Sequence, residues 1–97
     1  MDTRAALRET AERAVGLVLK DRNTDYGPPP EDFSKTAALW NAWLCRKLKV
    51  PLEPKDVAMM MLLVKVSRLE NAWKEDSLVD LIGYALTYQW CILAEGE

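Results

Sequence analysis

The chain has 97 residues, enough for one domain and too few for two. It carries 15 acidic and 13 basic residues, a net charge of -2, and no basic block of the size that phosphate binding along a nucleic acid would want. It has no histidine, which removes the Cys–His dyad, the Ser–His–Asp triad and every His-containing zinc site.

Asp2 or Thr3 can cap a first helix over residues 3–22. Leu7, Ala11, Ala14, Val15 and Val18 fall on one face of it. Glu9 and Glu12 have the ExxE spacing of a carboxylate metal site, but they lie on the opposite face and read as solvated. The stretch "DRNTDYGPPPEDF", Asp21 to Phe33, then breaks the chain, with a connector over residues 23–30. Proline restricts the residue before it, so Pro28 and Pro29 are pushed towards an extended backbone. A second helix is expected over 30–48, with Phe33, Ala37, Trp40, Leu44 and Leu48 as its apolar stripe. The run "CRKLK", Cys45 to Lys49, places cations at the expected end of that helix, where they complement the dipole.

Pro54 opens a third helix, 54–72. From Val57 to Val64 it is apolar almost all round, which predicts burial on all sides. That run has eight residues, too short to span a bilayer. Glu53 and Asp56 have ExxD spacing and read as first-turn capping acids, with metal ligation as the alternative. A fourth helix is expected over 76–95, with Val79, Ile82, Leu86, Trp90 and Leu93 on its apolar side. Gly83 in its middle is unfavourable by about 1 kcal/mol relative to Ala, so it needs a reason such as close helix approach or room for a ligand. No segment alternates with period two for long enough to be a strand. The expectation is a compact all-α domain. Apolar residues make up 49%, a rich core for so short a chain, and predict a homo-oligomer that buries apolar surface between subunits. Cys45 and Cys91 match no disulfide framework and read as buried free thiols.

The informative polar residues are charges on helices expected to be buried. Lys65 and Arg68 share one face of the third helix. Asp76, Asp80, Tyr84 and Thr87 share one face of the fourth. In an antiparallel hairpin these sets would meet, and buried charges persist when paired, hydrogen-bonded or metal-bound. Two readings stay open. One is an internal salt-bridge network. The other is a polar pocket in which carboxylates hold a divalent cation and the cationic residues hold phosphate oxygens.

The segments "YGPPPEDFSKTAALWNAWL", "EPKDVAMMMLLVKVSRLE" and "DSLVDLIGYALTY" resemble a family of short phage and prophage proteins of largely unassigned function. That family is often described as MazG-like, after the all-α nucleoside triphosphate pyrophosphohydrolases. The resemblance covers about residues 22 to 90. It implies a four-helix MazG-like bundle that oligomerises around an Mg²⁺-dependent nucleotide site. The matching positions are Arg22, Tyr26, Gly27, Asp56, Lys65, Arg68, Asp76, Asp80 and Tyr84. Asp76 and Asp80, with Asp56, would hold the metal. Lys65, Arg68 and Arg22 would clamp the phosphates, Tyr26 would border the base, and the connector would form the rim. MazG enzymes carry ExxE and ExxD pairs on successive core helices, whereas this second helix has no ExxE, and Asp32 stands where the family has Asn. Three functions follow from this. The first is a nucleotide-binding protein with pyrophosphohydrolase activity. The second is a non-catalytic sponge for cyclic or ADP-ribose-type immune signals. The third is a protein-interaction module. None needs a nucleic acid or a membrane. The charged, amphipathic N-terminus does not read as a signal peptide, so the expected location is the cytoplasm, that of the bacterial host for a phage protein.

Overall fold

Asp2 begins the first helix, accepting a hydrogen bond from the Ala5 N–H at 2.8 Å. The computed structural model describes residues 2–21 and 25–96. Helix α1, Thr3–Gly16, does not run on as one α-helix to Arg22 as expected, but widens into a π-helical turn, Leu17–Asp21. Gly16 is a poor helix former, and the wider turn lets two consecutive residues, Leu17 and Val18, both reach the last helix, where they line a small gap with Gly83 and Thr87.

After Gly27, whose φ of 80° is in the left-handed region, Pro28 is extended and α2 runs Pro29–Leu44 with proline in its first two positions. It ends four residues short of the expected boundary. The reason is Asn41, whose side-chain amide donates to the Leu52 carbonyl at 3.0 Å and accepts from the Leu52 N–H at 2.7 Å. This draws the chain back after Leu44. The cations of "CRKLK" therefore lie beyond the helix, and Cys45 is exposed rather than buried. Helix α3, Pro54–Asn71, begins with a capping box in which the Glu53 N–H donates to Asp56 Oδ2 at 2.8 Å. Helix α4 runs Glu75–Glu95. There is no strand among the described residues.

Helices α3 and α4 form the central antiparallel pair. Helix α2 packs across them, and α1 with its π turn packs on α4. The core joins Phe33 and Ala37 of α2, Val57 and Ala58 of α3, and Tyr84 of α4. The inward face of α4 is not the expected large apolar stripe. Val79 is buried, but with it go Ser77, Gly83, Tyr84, Thr87 and Cys91, while Leu93 is exposed. Small and short polar side chains let α3 and α1 approach, and the bulkier residues are left at the margin.

The protomer is more open than the compact bundle expected. Its radius of gyration is 14.8 Å, against about 12.5 Å for a compact chain of this length. Helix α3 is not buried on all sides: α2 and α4 pack on it, and Leu63, Val64 and Val66 are exposed. Trp43 is 86% exposed and Trp73 70%. Helix α4 has the length and hydropathy of a membrane span, features shared by the core helix of a soluble protein.

Two results follow from this packing. A Cβ built on Gly83 meets Val18 Cγ2 at 3.6 Å, an ordinary contact, so close approach does not require the glycine. Gly83→Ala is expected to stabilise the fold by up to about 1 kcal/mol, read as a rise of several degrees in thermal midpoint. The thiols should separate in a labelling experiment. Cys45 is expected to react with a thiol reagent at once, and Cys91 only on unfolding. Burial, then Glu95, pushes the Cys91 thiol above its ordinary pKa. The folded state thus prefers the neutral thiol. That contribution is complete below the unfolded thiol pKa and lost as pH rises through the folded one.

Candidate functional site

The charges singled out on α3 and α4 separate into distinct groups. Lys65 Nζ lies 3.0 Å from Asp80 Oδ2, and this pair crosses the central hairpin. Its members differ in burial, with side-chain exposures of 12% for Lys65 and 37% for Asp80. Arg68, one turn further on, is exposed, and its guanidinium has no hydrogen bond or ion pair among the described residues. Asp76 does not join Asp80. It accepts from Arg13 Nη2 at 2.9 Å, while Arg13 Nη1 donates to Glu75 at 3.0 Å. This clamp raises the Arg13 pKa, chiefly through the Asp76 hydrogen bond, and pins α1 to the start of α4. Arg13 carried no motif signal, and only the docking of α1 reveals its role.

Asp56 is spent on the capping box. The three carboxylates expected to share a cation thus lie in three places. No group of three His, Cys, Asp or Glu side chains suited to a metal occurs among the described residues. The described residues do not bring together a donor set that fits Mg²⁺, which holds near-octahedral geometry with carboxylates and substrate phosphates. Arg22 lies outside the described residues.

What the fold does bring together is aromatic. Residues at i, i+3, i+4 and i+7 share a helix face, so Phe33, Thr36 and Trp40 line one side of a cleft, with Asp32 beside them. Val57 and Met61 of α3 and Tyr84 of α4 form the rest of the wall, and Tyr26 of the connector completes it. The cleft has a volume of about 250 Å³. The rings of Phe33 and Tyr84 stack with centroids 6.3 Å apart and planes 28° apart. Gly27 takes a left-handed backbone just before α2, and Tyr26, the residue preceding it, lines the cleft with Asp32, Phe33 and Thr36 from the first turns of that helix.

Tyr26 and Tyr84, both singled out in the sequence, line the same cleft. Asp32, Thr36 and Met61 were not expected, and Phe33 and Trp40 read only as core stripe. The available signal was that "YG", "DF", "LW", "DVA" and "GYA" all contribute to one cleft. Along α3, Lys65 lies about 6 Å beyond Met61 and Arg68 about 10 Å beyond it, at 1.5 Å per residue. Met61 and Tyr84 of the cleft thus lie one turn from Lys65 and Asp80 on their respective helices.

A family model described as Domain of unknown function (DUF6378) matches residues 9–90. The chain is 40% identical over 85 residues to the Gene 55 protein of Mycobacterium phage L5, covering 87% of this chain and 53% of that one. It is 35% identical over 75 residues to the Gene 55 protein of Mycobacterium phage D29, covering 76% and 47%. The chain thus spans about half the length of the curated relatives it matches. No solved structure matches it.

Proposed function

The chain belongs to the DUF6378 family, and we propose that it is a nucleotide-binding domain whose base site is the aromatic cleft and whose phosphate side is the α3 face that carries Lys65 and Arg68. The observation that supports this is the convergence of Tyr26, Phe33, Trp40 and Tyr84 on one base-sized cleft. Stacking on aromatic side chains is worth about 1–3 kcal/mol per base. The Arg68 guanidinium, exposed and without a partner among the described residues, suits a phosphate, because Arg matches phosphate oxygens in a two-pronged geometry.

Binding without turnover is the version this arrangement favours, since Asp56, Asp76 and Asp80 are each engaged elsewhere in the protomer. Relatives are encoded by phages. A phage domain of this kind would hold a host nucleotide signal intact. The same reading includes self-association. A second copy would cover the apolar residues that the open protomer leaves outside, notably Leu39, Trp43 and Leu63.

The test is a melting-temperature screen against mono-, di- and triphosphates and cyclic nucleotides, with and without Mg²⁺. A ligand at a hundred times its dissociation constant should add about 2.7 kcal/mol of stability. Recovery of the ligand intact supports a binder, and Mg²⁺-dependent release of pyrophosphate would replace that with the hydrolase. Absence of a shift with every nucleotide would end the reading. A monomer mass at micromolar concentration would remove the self-association.

A further inference from the structure

We propose that the cleft takes a guanine base, held flat by its aromatic walls and read along one edge by the Asp32 carboxylate. This deepens the nucleotide reading and rests on it. Asp32 is half-buried at the cleft beside Thr36, and no described residue donates a hydrogen bond to its carboxylate. Its place in the first turn of α2 suits its charge through the helix dipole. The dipole does not account for a half-buried carboxylate in the wall of a largely aromatic cleft.

An ionised carboxylate only accepts hydrogen bonds, through two oxygens. It is matched by a ligand edge with two adjacent donors. Guanine has one, with its ring N1–H next to its N2 amino group. Adenine and cytosine place an acceptor nitrogen beside their amino group, so one lone pair faces a carboxylate oxygen. Uracil and thymine flank their single N–H with carbonyl oxygens. Reading a base by its Watson–Crick edge while stacking it between aromatic side chains is a general solution for an unpaired base. The size agrees as well. At about 250 Å³ the cleft is smaller than a drug-sized pocket, which starts near 300 Å³. It has room for a base, with ribose and phosphate outside towards Lys65 and Arg68.

The experiment is calorimetric titration of the full chain with GMP, IMP, XMP and AMP. GMP is expected to bind about tenfold to a hundredfold tighter than AMP or IMP, the range for a two-bond edge contact. Asp32→Asn replaces one acceptor by a donor. It should lose the GMP preference and gain affinity for XMP, whose C2 carbonyl accepts. Asn keeps the side-chain shape, and an unchanged melting temperature will show that the variant is folded. Nucleotide binding with no base preference overturns the guanine assignment and leaves the broader reading standing. A GMP preference that survives Asp32→Asn overturns the role of Asp32. If none of the four binds, the guanine assignment fails, and the wider nucleotide screen decides the broader reading separately.

Discussion

Phe33→Ala is expected to remove about 3–5 kcal/mol of folding stability, the range for emptying a buried phenylalanine site. Phe33 is 5% exposed, and it joins all three core helices through Ala37, Val57 and Tyr84. Its ring also stacks on Tyr84, so the loss includes an aromatic contact as well as buried area. Domains of this size hold about 5–15 kcal/mol in total. The variant should therefore sit close to unfolding at room temperature. Urea denaturation measures the effect. Leu39→Ala on the same helix is the control, because Leu39 is 72% exposed in the protomer and should change stability by about 0.5 kcal/mol or less if nothing covers it. A loss below about 1 kcal/mol for Phe33→Ala would mean that the three helices are not joined at this point. A large loss for Leu39→Ala would instead show that a second copy covers α2.

The second large effect concerns Lys65 and Asp80, and its asymmetry carries the information. Asp80→Asn leaves the Lys65 ammonium, the more buried partner, without its counter-charge. The cost of stranding such a group is about 1–3 kcal/mol. Lys65→Met strands Asp80, which water reaches more readily, and should cost less. The double variant Lys65→Met/Asp80→Leu is expected to recover most of the loss, because replacing both members of a buried pair by apolar groups is often nearly neutral. Chemical denaturation of the three variants checks this ordering. If the pair is instead held open for a ligand, Asp80→Asn will change nucleotide affinity while stability stays put.

Much of the local architecture was legible in the residues. Pro54, the prolines at 28–30 and Asp2 set helix starts to within a few residues, because capping and proline sterics act over one turn. Helical spacing and an antiparallel hairpin brought the charged faces of α3 and α4 together, as Lys65 and Asp80 show, but not which members would pair. The early end of α2 was not legible. It depends on Asn41 reaching Leu52, eleven residues away, and no local pattern encodes that contact.

The candidate site shows the same division. Helical period placed Asp76 and Asp80 on one face, and that held as geometry. Which partner each acid finds depends on where α1 docks, and Arg13 comes from a helix sixty-three residues earlier. Phe33 and Trp40 read as core from their spacing alone, since a period reports a face and not what the face meets. That the core stripe of α2 opens at one end into a cleft with Tyr26 and Tyr84 is a fact of tertiary packing. So the helical class, the caps, the break at the connector and the charged face of α3 belong to the sequence, because they arise within a turn or two of chain. The π turn, the open shape, the separation of the three aspartates and the aromatic cleft belong to the folded protomer, because each requires groups far apart in sequence to compete for the same space.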